Sequence, residues 1–574
     1  MASFVNSTSS EKSVITLPSI PELNNQQAIS LAFLAIFSIY SLKIVKNSLF
    51  SVKAPYVGHR SFFEPAWLIG LRFVRGSEPM INEGYQKAAS STCYIAETSR
   101  ILTVLQYKDG MFKVRRNDAD ILVVSNKYVD ELRNMPDRQI SATKAHVANL
   151  LGRYSTTRIL LESDLHTRVL QTKLTPNIAV VMPAMKDELD FALNTEVPDC
   201  KGEWVTVQIN EILLRIVARV SARVFLGPDA CRNEEWLAAS IHYTENIFLT
   251  VMLLRRFPSP IHPFIAPLLP SFWAIRSNLS TARRIVGPMV RERVAAAAAA
   301  KQEDGGYQKP NDLLQWMMDA ANENDGQPHK LAHRQLLLSL ASIHTTTMAA
   351  THALYDLCAH PEYFDPLREE ILGVLRVDGG WEKTSLNKLQ NLDSFMKESQ
   401  RLNPPSLLAF NRIVQTPITL SDGTVLPKGT HLSMPSAAIL HDRALQQTND
   451  NNNADDSSQY QDPSKTFDPL RYARLRAASA DNANKFRFAQ TDRDNLHFGH
   501  GKYACPGRFF AAAEIKMILA HLLVRYEFRY PDGDKHGRPR NLSADENLYP
   551  DPSARLLMRE REGLEEDIKR LVGI

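Results

Sequence analysis

A single cysteine, Cys505, sits in "HFGHGKYACPGRFF" (497–510) among three glycines and a proline. An isolated cysteine is most often a small buried apolar residue, but the surroundings here point elsewhere. Pro506 suits the first position of a helix, and the residues after it keep a helical period, so Cys505 is expected at a helix N-terminus. Unpaired N–H groups and the helix dipole favour a thiolate there. Gly499, Gly501 and Gly507 let the backbone take positive φ or approach something flat and bulky, and Phe498 would cover one side of the sulfur. An anionic, shielded sulfur on a rigid loop is what an axial iron ligand requires.

Two further groups have a spacing that can do chemistry. Glu398 and Arg401 stand at i, i+3 on one helix face, the geometry of an ion pair, which is common on any surface. "ASIHTTT" (341–347) places Thr345 and Thr346 inside an apolar helix, where a hydroxyl often bonds back to a carbonyl. His344 beside them has a reference pKa near ~6.5, which suits a proton relay; a helix face turned away from any site is the equal alternative.

The elements that must hold these residues are mainly helical. Ala332–His360 is long, apolar at its centre and closed by Pro361, which predicts a buried helix. Met396–Leu402 reads as the end of another helix, stopped by Pro404 and Pro405. Residues 416–434, with alternation, Asp422-Gly423 and Lys428-Gly429, read as short β-hairpins. The polar run 446–461 reads as a solvated loop, and the alanine run 295–300 as a helix end. The expected fold is mainly α with a minor β portion and no internal repeat.

Composition narrows the function classes. The chain has 574 residues, 44% apolar and 23% charged, with 67 basic against 63 acidic side chains. That balance, without a basic stripe, excludes nucleic acid as a partner. Five scattered cysteines without a CxxC pair argue against a zinc ribbon or a disulfide framework and for a reducing compartment. Ala28–Leu42 is an uncharged apolar run followed by Lys43, Lys46 and Lys53. Fifteen helical residues rise roughly 22 Å against a hydrocarbon core of ~30 Å, and Ile44 and Val45 extend the span with Lys43 snorkelling. The lysines place the rest of the chain, C-terminal to the span, on the cytosolic side, and no basic n-region or cleavage site marks a signal peptide. The expectation is a tail, single anchor and linker over 1–54, with Asn6 on the lumenal side, and one catalytic domain over 55–574.

"FGHGKYACPGRFFAAAE" resembles the haem-binding signature of the cytochrome P450 monooxygenases, with Phe498, Gly499, Gly501, Cys505, Gly507, Ala511 and Glu514 in register. Tyr503 stands where that family usually carries a basic residue that meets a haem propionate; a phenol can donate one hydrogen bond but brings no charge. Glu398 and Arg401 resemble the family's ExxR motif, and "FDPLRY" (467–472) its later element, with Arg471 as third partner. The resemblance implies that these three form a buried structural charge cluster. It implies haem b ligated by Cys505, with Phe498, Gly499, Tyr503 and Gly507 around it and Arg412 and His166 toward the propionates. Thr345 is then the hydroxyl beside bound dioxygen, Thr346 its neighbour, and His344 the stand-in for the usual acid.

The reaction implied is oxidation of a lipophilic small molecule by O2, with electrons from a separate NADPH–cytochrome P450 reductase, in an enzyme held in the endoplasmic reticulum membrane. Lys502, Arg508 and Lys516 would form a basic docking face or remain ordinary solvated charge. The long helix and "PSLLAF" (405–410) would line the pocket. Likeness to ascomycete ent-kaurene-oxidase-like members suggests a terpenoid or other secondary-metabolite intermediate. A reductase-independent isomerase, dehydratase or peroxygenase on the same fold remains an alternative, as does a haem-binding protein without turnover.

Overall fold

The computed structural model describes scattered residues between 24 and 38, then 52–61, 64–89, 110–302, 307–382, 384–442, 465–531, 537–564 and 566–572. The apolar run expected to cross a membrane falls largely outside these residues, as do Asn6 and the whole of 446–461. Val52–Ile574 form one compact unit.

The helices that frame the site are, in chain order, α1 (Ala66–Arg75), α2 (Ala142–Asn149), α3 (Leu165–Val169), α4 (Ile178–Glu196), α5 (Ile209–Phe225), α6 (Glu234–Leu254), α7 (Pro270–Gln302), α8 (Pro328–Ala359), α9 (Phe364–Asp378), α10 (Gln390–Leu402), α11 (Arg471–Ala477) and α12 (Arg508–Arg525). α8 runs through the middle, packed against α5, α6, α7, α10 and α12. It starts at Pro328, four residues before the start expected from periodicity, because a proline in the first turn loses no hydrogen bond. It ends where His360 N–H folds back onto Asp356 and Leu357 carbonyls ahead of Pro361. α12 packs on α8, α9 and α4 and buries Leu519, Leu522 and Leu523 completely. Each such leucine contributes about 1.5–3 kcal/mol by leaving water.

The strands are few and short: β1 (Phe112–Arg115), β2 (Asp120–Val123), β3 (Ile140–Ser141), β4 (Val205–Val207), β5 (Ala409–Val414), β6 (Ile418–Thr419), β7 (Val425–Leu426), β8 (His431–Met434), β9 (Tyr526–Arg529), β10 (Leu542–Ala544), β11 (Asn547–Tyr549) and β12 (Leu556–Glu560). The largest sheet has order β1-β2-β8-β5-β3. Of the hairpins expected in 416–434, one forms, β6 with β7 across Asp422-Gly423. The second does not: after Gly429 the chain enters β8, parallel to β2 and antiparallel to β5. A tight turn fixes local direction, whereas the partner strand is chosen by burial: every residue of β8 is buried.

Candidate active site

The cysteine loop is closed by its own backbone. Cys505 N–H donates to Phe498 O (2.7 Å), Gly499 N–H to Leu496 O (2.8 Å) and Ala504 N–H to Gly501 O (3.1 Å). Gly499 and Gly501 have φ of +67° and +74°, and a Cβ on Gly501 would lie 2.6 Å from Arg133 Cβ. No other residue fits there. Helix α12 begins at Arg508, with Gly507 as its N-cap, two residues later than Pro506. The Gly507 and Arg508 amides nonetheless hydrogen-bond toward the Cys505 sulfur and, with the Arg508 charge, oppose the upward push of burial. Burial wins, so the thiol is raised rather than lowered. The dipole expected to favour a thiolate is outweighed, and a bound cation at the sulfur is what would complete it.

Among the described cysteines, Cys200, Cys231 and Cys358 are buried while Cys505 is exposed. It opens inward. On α8, Ala341 and Thr345 are likewise exposed while Ile343, Thr346 and Thr347 are buried, so one i, i+4 stripe of a core helix faces open space. A cavity lined by Thr345, Thr346, Phe498 and Ala511 connects that stripe with the cysteine loop and α12. Phe498 is held edge-on by Phe488, with ring centres 5.5 Å apart.

On α8 the three expected catalytic residues diverge. Thr345 Oγ1 donates to Ala341 O (2.7 Å) within the exposed stripe. Thr346 turns its hydroxyl toward Glu514 of α12. His344 donates through Nε2 to Ile241 O of α6 (3.2 Å), and burial lowers its pKa. Consecutive helical residues differ by about 100° in direction, so His344 does not share the Thr345 face, the second of the two alternatives its sequence leaves open. Ser342 bonds Ser221 of α5 (3.1 Å), which donates to Glu514 (2.8 Å).

Glu398, Arg401 and Arg471 are brought together. Arg401 grips Glu398 through Nε (2.9 Å) and Nη2 (2.7 Å), Arg471 Nε lies 3.4 Å from Glu398, and Asp468 N–H donates to the same carboxylate (3.0 Å). All three side chains are at most 5% exposed. They tie α10 to the segment that starts α11.

Arg412, on β5, is 2% exposed and donates from Nη1 to Asn411 O (2.9 Å). Its Nε and Nη2 are buried with no hydrogen-bond acceptor, as is the Tyr503 hydroxyl nearby. Burial pushes the guanidinium down to about 10. Unmet buried donors cost about 1–3 kcal/mol each, and a pair of carboxylates is the group whose chemistry would satisfy them. The haem implied by the cysteine loop carries two such groups, so these residues fit it. His146 joins them without any local sequence signal: on α2, between buried Ala145 and Val147, it keeps free surface yet is enclosed by surrounding protein, and that enclosure with the Arg412 charge lowers it to about 4. Only the fold of α2 onto β5 brings it there.

His166 does not join this group. Its Nδ1 accepts from Arg334 Nη1 (3.1 Å), and Arg334 also binds Asp325 and Ser163. Arg334 lies three turns before Thr345 on α8. Lys516 also departs from expectation: it is 7% exposed, pairs with Asp393 (2.6 Å) and cannot serve a docking face, which leaves exposed Lys502 and half-buried Arg508. Of "PSLLAF", Leu407 and Leu408 pack into a core with Ile69, Phe73 and Leu548, so only part of it borders the cavity.

Geometry of this kind belongs to haem-thiolate proteins, in which a cysteine sulfur ligates the iron. The chain is a cytochrome P450, matched by the family profile over residues 105–556. It is 60% identical over 542 residues to cytochrome P450 monooxygenase AN1598 of Emericella nidulans, covering 94% of each chain. It is 54% identical over 511 residues to cytochrome P450 monooxygenase olcJ of Penicillium canescens, covering 89% of each. It is 43% identical over 562 residues to ent-kaurene oxidase of Gibberella intermedia, covering 97% of this chain and 98% of that one. The protein is accordingly a monooxygenase whose cofactor is haem.

Proposed function

We propose that this enzyme hydroxylates, or oxidises further, a terpenoid or related secondary-metabolite intermediate, taking electrons from NADPH through a separate reductase. The observation that carries the reading is the open stripe of α8, Ala341 and Thr345, beside the cavity that Thr345 shares with Phe498 of the cysteine loop. The likeness to an ent-kaurene oxidase supports a polycyclic, lipophilic substrate.

Cys505 would hold haem through its sulfur, with Arg412 and Tyr503 donating to the haem carboxylates, and the bound group would supply the oxygen-activating chemistry. Phe498, held edge-on by Phe488, would cover one side of the sulfur. Thr345 holds a proton at Oγ1, resting on Ala341 O, and delivers it toward the cavity when the hydroxyl rotates. Small Ala341 leaves room for substrate beside it. Glu398, Arg401 and Arg471 keep the polypeptide beneath the site rigid.

Membrane attachment through residues 1–54 belongs to the same proposal. On the 52–574 unit, Trp67 and Leu68 of α1 and Phe257, Phe264, Leu268 and Trp273 around the start of α7 are exposed. Asn117, packed against Gly70 of α1, donates to Arg255 O (3.0 Å) two residues before Phe257, which brings the two groups near each other. Large exposed apolar groups gathered this way suit a lipid surface in the endoplasmic reticulum. Lys502 and Arg508 suit an acidic reductase.

Co-expression with a reductase in microsomes, fed diterpene hydrocarbons and read by mass spectrometry, tests the reading. Oxygenated product dependent on NADPH is expected. Product formed without reductase would transfer the reading to the isomerase or peroxygenase alternative.

A further inference from the structure

Thr345 needs a proton supply, and His344, which faces Ile241 O, does not provide one. The same face of α8 offers another. Thr345, Ala349, His352 and Asp356 stand at i, i+4, i+7 and i+11, one stripe of the helix, and α10 packs against it. His352 is 2% exposed. Its Nδ1 lies 3.0 Å from Arg538 Nη2. Arginine only donates, so Nδ1 accepts and the proton of the neutral ring resides on Nε2. Burial and the Arg538 charge press the imidazole down to about 3, which keeps it neutral. That Nε2–H is buried with no acceptor, in the cavity that Thr345 also lines.

The far end of the stripe is polar and reaches solvent. Arg538 pairs with Asp356 and is 22% exposed. Asp356 also accepts from Ser399 and, at 3.1 Å, from Asn403 of α10's C-terminus. Polar groups in a core are expensive unless satisfied, and the cavity, about 60 Å³ with Thr345, His352, Gln400 and Asn403 among an otherwise largely apolar lining, has room for a few waters at those polar points.

We propose that a file of water molecules between α8 and α10 carries protons from solvent at Arg538 to the Thr345 hydroxyl, and that His352 anchors it through Nε2–H. Each transfer moves one proton from oxygen to oxygen along the file. One proton enters from bulk water at the Arg538 end, one is delivered in the cavity, and every protein group ends in the protonation state in which it began. His352 is a positioning residue, since it acts through the water it holds. The inference rests on the monooxygenase reading above.

The test uses the membrane-bound, haem-loaded enzyme with its reductase. His352→Phe keeps the volume and removes the donor; His352→Gln restores one. In the phenylalanine variant, hydrogen peroxide released per NADPH consumed is expected to rise several-fold, with a larger solvent isotope effect at unchanged haem content. The glutamine variant is expected to return both toward wild type. A crystal structure of the haem-loaded protein is expected to show water within about 3.2 Å of Nε2, a readout independent of turnover. Wild-type coupling in the phenylalanine variant, failure of glutamine to rescue, or a dry Nε2 would each overturn the inlet. Absence of product in the wild type would instead overturn the monooxygenase reading.

Discussion

The Arg412 guanidinium carbon lies 5.1 Å from the centre of the Tyr503 ring, with two of its nitrogens and the phenol hydroxyl all buried and unmatched. One comes from strand β5 and the other from the cysteine loop, so the pair exists only in the folded chain. The three unmet donors are what carboxylate acceptors would satisfy. Charge-assisted hydrogen bonds contribute about 1.5–3 kcal/mol each. Arg412→Ala should therefore lower haem affinity at least ~10-fold, measured as the rate of haem transfer to apomyoglobin. Tyr503→His, whose imidazole can carry a proton once a carboxylate sits beside it, should slow that transfer.

Cys505→Ser should abolish the thiolate-type absorption band of the reduced, carbon-monoxide-bound enzyme while leaving the helical circular dichroism intact. The loop is closed by the Cys505 N–H to Phe498 O bond, which serine retains. A band unchanged in this variant would remove Cys505 as the iron ligand.

Thr345→Val should cut product formed per NADPH consumed several-fold and divert reducing equivalents to peroxide, whereas Thr345→Ser should keep most of the wild-type yield. Valine preserves the shape of the exposed stripe and deletes only the hydroxyl, so equal yields in all three enzymes would exclude a proton role for it.

Glu398→Ala leaves Arg401 and Arg471 buried beside each other with no carboxylate between them. Breaking a buried pair in this way costs about 3–5 kcal/mol. A large fall in apparent melting temperature and in haem-bound yield is expected, without any change in the spectrum of the molecules that do fold.

Glu514 gives a pH signature. Burial raises its carboxyl to about 8, against about 4.3 in an unfolded chain. Between those values the folded state holds a proton that the unfolded state has released, so the contribution of Glu514 to stability is lost as pH rises through that window. Glu514→Gln should be closest to wild type near pH 5 and gain relative to it toward pH 8, in urea melts across that range. The infrared carbonyl band of a protonated acid should be present at pH 7 in wild type and missing in the variant.

How much of the site is legible in the sequence depends on how local its cause is. Cys505, Gly499 and Gly501 announce themselves because loop chemistry is written within a dozen residues. The core helix is legible from its apolar length and Pro361. Glu398, Arg401 and Arg471 are legible as a group only through the family resemblance, since an ion pair at i, i+3 looks the same on a surface. His344 is undecidable from sequence: its direction is set by the Ile241 carbonyl, which α6 brings from a hundred residues away. His146, the Glu514 contacts and the unmatched donors of Arg412 depend on packing of α2 on β5 and of α12 on α8. No period or motif encodes those.

The contact between Gly501 and Arg133 also bears on how freely this gene can drift. At Gly499 the constraint is backbone angle alone, since a Cβ would meet its nearest neighbour at 3.4 Å; asparagine, which tolerates the left-handed region, is a viable replacement. At Gly501 the angle and the space are both exhausted, with Arg133 Cβ at 2.6 Å and its carbonyl oxygen at 2.8 Å. In a saturation library selected for haem incorporation, codon 499 should return a short list of survivors, and codon 501 glycine only.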